Sequence, residues 1–300
     1  MGTPEFAVES LKALVESGEN VVAVITAPDK PAGRGQKIQQ SAVKQYALSR
    51  NIPVLQPEKL KNKDFLDELK SYKADLQVVV AFRMLPEAVW NMPALGTINV
   101  HASLLPQYRG AAPINHAIIN GETETGVTTF LLQHEIDTGN ILLAEKVKIE
   151  ESDNAGVLHD KLMSAGARTL LKTIEGLKQN TLQPIPQADI STDQLKHAPK
   201  IFKDDCLIDW DNSTARIYNK IRGLSPYPTA FTHLGGKVLK IFETEKENVG
   251  HDMKPGTYQT DGKTYLKFAT RDGYLRLLSV QIEGKKKIDI VEFLRGYRFD

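Results

Sequence analysis

Apolar residues in the first part of the chain follow two alternating rhythms. Phe6, Leu11, Leu14 and Val15 share one side of a 3.6-residue period and predict a helix over 5–16. Val21–Thr26 is a short apolar run that predicts a strand, and Ser41 stands where it would cap a helix over 41–49. A helix over 64–71, a buried strand over 76–82 and further strands over 97–101 and 126–132 continue the alternation. A long helix at 154–178 follows, its apolar face supplied by Val157, Leu158, Leu162, Leu170, Leu171 and Ile174. Helices alternating with short strands indicate an α/β domain on a largely parallel, Rossmann-like sheet.

The rhythm then changes. Residues 179–193 are polar, carry Pro184 and Pro186 and show no helical period. We therefore expect a catalytic-type domain over 1–179, a linker over 180–205 and a second domain over 206–300. After one helix near 213–223, the second domain reads as β-rich runs at 238–242, 265–268 and 274–280. Gly235-Gly236, Asp261-Gly262, Asp272-Gly273 and Glu283-Gly284 supply the turns between them. Short strands with regular turns suggest a small β-barrel.

Composition narrows the class without choosing a function. Three hundred residues with 41% hydrophobic and 25% charged positions describe a soluble globular protein. A net charge of +1 provides no global field for nucleic acid, so any RNA contact must come from a local basic patch. The single cysteine, Cys206, excludes an internal disulfide and a cysteine-based metal cluster. No apolar run is long enough to span a bilayer and no signal peptide opens the chain. A cytoplasmic protein, without a membrane partner and without a metal, is expected.

The chemistry concentrates at Gly96-Thr97-Ile98-Asn99-Val100-His101-Ala102-Ser103-Leu104-Leu105-Pro106, followed by Tyr108-Arg109-Gly110. Alternate side chains of a strand share a face, so Asn99 and His101 project together from its end. An amide donor beside an imidazole suits acyl transfer: the amide stabilises a developing oxyanion and the imidazole moves a proton. Taken alone, such a pair is more often structural than catalytic. A second segment, Thr125–Thr129 followed by Glu135-Ile136-Asp137-Thr138-Gly139, shifts that balance. If its strand lies beside the first, Asp137 can reach the ring of His101 and fix its tautomer. His116, His134 and His159 lack metal-site spacing, and no glycine-rich phosphate loop follows a strand. Trp90 and Trp210 read as packing residues.

With these motifs in hand, the chain resembles the formyltransferases that use 10-formyltetrahydrofolate. The likeness rests on Gly2-Thr3-Pro4-Glu5-Phe6, Pro28–Gly35, Asn99–Pro106, Tyr108–Ile114 and Asp137-Thr138-Gly139. It continues through Ala198-Pro199-Lys200, Ile208-Asp209-Trp210, Ile221-Arg222, Pro226–Phe231 and Phe293–Gly296. The resemblance implies an OB-like barrel as the second domain and 10-formyltetrahydrofolate as formyl donor. It also implies a monomer that takes methionyl-initiator tRNA as acceptor. Asn99, His101 and Asp137 are then catalytic, and Ser103, Leu104, Leu105 and Pro106 lie against the folate. Arg34 enters the acceptor end of the tRNA, with Lys30, Lys37 and Lys200 as phosphate contacts. Members of this family usually carry a short apolar strand before the Gly-Thr-Pro-Glu-Phe turn. This chain starts at the turn, so the strands on either side are expected to expose backbone groups.

Two other readings fit parts of the chain. One keeps the chemistry and changes the acceptor to an amino-sugar nucleotide; the Pro-Ala-Gly-Arg-Gly loop at 31–35 favours tRNA over it. The other is a non-catalytic RNA-binding protein, which would leave Asn99, His101 and Asp137 without use and offers few interleaved aromatics for base stacking.

Overall fold

The computed structural model describes residues 1–32, 37–189 and 194–299. In chain order its elements begin α1 (Glu5–Glu16), β1 (Val24–Ile25), β2 (Lys30–Ala32), β3 (Lys37–Gln39), α2 (Ala42–Ser49), β4 (Val54–Leu55) and α3 (Lys63–Ser71). Then come β5 (Gln77–Val80), α4 (Glu87–Trp90), β6 (Thr97–His101), β7 (Arg109–Gly110), α5 (Pro113–Ile119), β8 (Glu124–Leu131), β9 (Ile141–Lys148) and α6 (Ala155–Lys178). The remainder is β10 (His197–Ala198), α7 (Thr214–Leu224), β11 (Ala230–Leu234), β12 (Lys237–Glu247), β13 (Tyr258–Thr260), β14 (Leu266–Ala269), β15 (Tyr274–Ile282), β16 (Ile288–Asp289) and α8 (Ile290–Gly296).

Contacts divide the chain into two units. The first holds Met1–Gly110, Thr125–Lys148 and His159–His197; the second holds Ala111–Glu124, Ile149–Leu158 and the chain from Ala198. Residues 181–189, expected as part of a linker, thus belong to the first unit.

In the first unit, Ser41 caps α2 by accepting from the Lys44 N–H at 3.1 Å, and Asn62 caps α3 from Asp64 N–H at 2.8 Å. The four-stranded sheet runs β5-β6-β8-β9, with β6 parallel to β5 and antiparallel to β8. Ile98 and Val100, on one face of β6, are buried with Leu162 and Leu170 of α6. The helix comes close because Gly166 has no side chain: a Cβ there would stand 3.1 Å from Val100 Cγ1.

A separate parallel pair, β1 with β4, lies near the β5 edge. Only Val24–Ile25 of the expected 21–26 strand are laddered, because Val24 and Thr26 donate to Pro53 and Leu55 on one side alone. On the other side Met1–Gly2 make a single parallel rung: Gly2 donates to Ile25 and Val80 donates to Met1. Beside that rung is a cavity of about 820 Å³ lined by Val21–Ile25, Leu76–Val78 and apolar residues of α1 and α6. The Met1 amine is buried at its margin and donates to the Val78 carbonyl; burial pushes its pKa down to about 5.

The second unit centres on an antiparallel sheet ordered β11-β12-β15-β14-β13, with β16 on β15. Gly235 and Gly236, at φ of 55° and 72°, make the left-handed turn that pairs β11 with β12. The β12–β15 register shifts on either side of Glu243. Ile217, Ile221 and Leu224 of α7 pack into the core with Leu239, Ile241, Leu277 and Val280. Trp210 is one of its packing residues, stacked 4.6 Å from Phe268. Among the described residues no helix is long and apolar enough to cross a membrane.

Candidate active site

Strand β6 reaches one residue past β5. Val100 is the last residue laddered to β5, opposite Val80, so His101 pairs only with Thr128 of β8. Asn99 stands opposite Val79 and Phe130. The pleat therefore puts Asn99 and His101 on the same face, with His101 at the open end. Asn99 is half-buried and His101 buried, the imidazole edge-on to Phe130 at 6.4 Å.

The chain then turns through Ala102–Gln107 with a cis Leu105–Pro106 bond. Thr128 ties this turn to the sheet, accepting from Leu105 N–H at 3.1 Å and donating to the Ser103 carbonyl at 2.7 Å. Ser103 is fully buried and its hydroxyl donates to the Gln107 carbonyl at 2.6 Å. Of the four residues expected against the folate, Ser103, Leu105 and Pro106 shape the turn from inside, and Leu104 is partly exposed.

Residues 108–110 bring the distant parts together. The Tyr108 carbonyl lies 2.9 Å from His101 Nε2. A carbonyl only accepts, so Nε2 carries the proton and a neutral ring keeps its lone pair on Nδ1. Gly110 N–H donates to Asp137 Oδ2 at 3.0 Å, and the same oxygen is 3.9 Å from His101 Nδ1. That distance is ion-pair range and longer than a hydrogen bond. The backbone of Tyr108 thus sets the tautomer, the task assigned to Asp137 from sequence, and the carboxylate faces the other nitrogen. Asp137 itself sits at φ 56°, a left-handed conformation uncommon for a residue with a Cβ. The turn lies tight on β8, because a Cβ at Gly139 would stand 1.6 Å from the Leu131 carbonyl oxygen.

Sequence reasoning missed a residue that touches this turn. Gln187 is buried; its Nε2 donates to the carbonyls of Asp137 and Gly139 at 2.9 and 2.8 Å, and its Oε1 accepts from Arg109. It arrives there because Ile185 and Ile141 exchange two backbone hydrogen bonds of 2.8 Å. The only signal in the sequence was Pro184 and Pro186, which favour an extended path on either side of Ile185.

The expected tRNA contacts fall in both units. Arg34 lies outside the described residues. Lys30 begins β2 and Lys37 begins β3 of an antiparallel pair, where a plain loop was expected, and Lys30 is exposed. The base of this pair is anchored by Asp29, whose carboxyl is held below the usual range by hydrogen bonds from Lys44 and Gln56 at 2.6 and 2.8 Å. Lys200 is in the second unit, exposed, with its ammonium 5.3 Å from the Phe202 ring. It lines a cavity of about 410 Å³ with His116, Arg216 and Lys220. Among the described residues no cluster of His, Cys, Asp and Glu is placed to hold a metal.

Comparison with known proteins bears on this arrangement. A family model described as Formyl transferase matches residues 1–174, and one described as Formyl transferase, C-terminal domain, matches residues 200–298. The chain is 58% identical over 304 residues to a methionyl-tRNA formyltransferase of Bacteroides thetaiotaomicron, covering 99% of this chain and 94% of the relative. It is 57% identical over 306 residues to one of Parabacteroides distasonis, with the same coverage of 99% and 94%. Among solved structures, WlaRD, a sugar 3N-formyl transferase in the presence of dTDP and 5-N-formyl-THF, gives a TM-score of 0.68 at 21% identity. That match covers 95% of this chain and 97% of the other, and is a likeness of fold alone.

Proposed function

The chain belongs to the methionyl-tRNA formyltransferase family and formylates methionyl-initiator tRNA, and we propose that it does so with 10-formyltetrahydrofolate as donor at a site built on Asn99, His101 and Asp137. One observation supports the site above the others. An imidazole and a carboxylate from distant segments are both buried within 3.9 Å of each other, at the end of a strand that offers Asn99 two residues earlier.

Transfer of a formyl group requires a neutral amine to attack a formamide-like carbon, which places negative charge on its oxygen and positive charge on the nitrogen. Asn99 donates to that oxygen, a contribution of about 3–4 kcal/mol when a single such donor is removed. His101 has committed Nε2–H to Tyr108, which leaves Nδ1 to take the amine proton. Asp137, on the side of that nitrogen, balances the imidazolium charge. General acid–base assistance of this kind contributes about 100- to 10,000-fold. The donor is a substrate; Leu104 and the buried Ser103–Pro106 turn would give its ring system an apolar wall, and their rigidity fits that task.

Arg34 is read as a contact to the tRNA acceptor end, and Lys30, Lys37 and, in the second unit, Lys200 as contacts to tRNA phosphate. We read the protein as a cytoplasmic monomer; its one cysteine is free and buried, which suits a reducing compartment. A formylation assay with 10-formyltetrahydrofolate tests the reading, offering methionyl-initiator tRNA and a dTDP-amino sugar as alternative acceptors. Turnover on the tRNA alone is expected; turnover on the sugar alone would replace this reading with the amino-sugar one.

A further inference from the structure

Gln187 uses the whole of its amide. Its two N–H groups donate to the Asp137 and Gly139 carbonyls at 2.9 and 2.8 Å, and its oxygen accepts from Nε and Nη2 of Arg109. With two donors and two lone pairs, a glutamine has nothing further to give. The residue is 5% exposed; its bonds to the two carbonyls are buried and those from Arg109 partly so, and removing the buried pair would leave two orphaned carbonyls. What it joins is specific. Arg109 lies between Tyr108, whose carbonyl accepts from His101, and Gly110, whose N–H donates to Asp137. On the other side Gln187 holds the backbone of Asp137 itself, in its left-handed conformation.

We propose that Gln187 is a positioning residue for formyl transfer, clamping the Asp137–Gly139 turn to Arg109 so that the Asp137 carboxylate stays on His101. The proposal rests on the reading of Asp137 and His101 given above. The chemistry of the clamp explains why an amide and not an acid stands there. Glutamate would keep Arg109 but turn a carboxylate oxygen, an acceptor only, toward the two carbonyls, and would bring a second carboxylate to the turn. Methionine has similar length and volume and offers neither donor nor acceptor of useful strength.

The test is a double-mutant cycle on the full chain, using Gln187→Met, Gln187→Glu, Asp137→Asn and the two double variants. It measures kcat and both KM values, with thermal unfolding as a check of folding. Gln187→Met and Gln187→Glu are each expected to lower kcat by about 10- to 100-fold, as displacement of a reacting group by about 1 Å does. The KM values for tRNA and folate should stay within about twofold. In the Asp137→Asn background the same changes should cost less than about twofold, because the group they position is already lost. Losses that multiply in the double variants, or that fall on KM, would overturn the proposal while leaving the site assignment intact. Both single variants failing to fold would also overturn it, making Gln187 a folding residue. A normal kcat for Asp137→Asn would instead remove the reading on which the proposal stands.

Discussion

Asp137 Oδ2 lies 3.9 Å from His101 Nδ1 and takes its hydrogen bond from Gly110 N–H at 3.0 Å. The histidine's own hydrogen bond goes the other way, to the Tyr108 carbonyl. The two residues are thus coupled through charge and through the shared segment Tyr108–Gly110, and not by a direct bond between them. This arrangement divides two tasks that a single carboxylate performs in the serine-protease triad, where replacing it by asparagine costs about 10,000-fold because the tautomer is lost.

The first expectation follows. With the tautomer held by Tyr108, Asp137→Asn should remove only charge support and lower kcat by about 10- to 100-fold, or about 1.4–2.8 kcal/mol. Steady-state kinetics with saturating tRNA and donor measure it. A loss near 10,000-fold would return the tautomer to Asp137.

Thr128 offers a second check, this time on the turn. Thr128→Val keeps the shape but orphans the buried Leu105 N–H and the Ser103 carbonyl. Stability should fall by about 1–3 kcal/mol in urea unfolding, with a higher KM for the folate than for the tRNA. Wild-type stability and unchanged KM values would show that the cis-proline turn holds without it.

Much of this was legible from sequence, and the reason is local. The Asn99–His101 face depends only on strand alternation, and Ser41 caps α2 by near-neighbour geometry that any Ser before a helical run announces. The strand expected over 126–132 was legible from its β-branched residues, and runs over Glu124–Leu131. What was missed needed long-range information. Gln187 reaches Asp137 across fifty residues of chain, through a pairing of Ile185 with Ile141 that no periodicity encodes. The expected Val21–Thr26 strand shrank to Val24–Ile25 because a strand's length is set by its partners, and here β4 serves one side only. Helix α5 was hidden behind the motif residues at its start, with Pro113 in its first turn.

Gly139 supplies a third expectation, on backbone approach. Gly139→Ala would drive a Cβ into the Leu131 carbonyl, a fixed backbone atom, so the turn must shift. Overpacking of this kind costs about 1–3 kcal/mol. Because Asp137 rides on the same turn, activity should fall further than the loss of stability accounts for at a temperature where the variant remains folded. Comparing kcat with the folded fraction checks this, and a matched decline would confine Gly139 to packing.

The central claim is that one amide and one imidazole on strand β6 carry the transfer. Its most direct test is the kcat of Asn99→Ala with methionyl-initiator tRNA and 10-formyltetrahydrofolate, both saturating. A fall of about 100- to 1,000-fold with little change in either KM is the expected result. A kcat within twofold of the unaltered chain, or a loss carried wholly by KM, would contradict it.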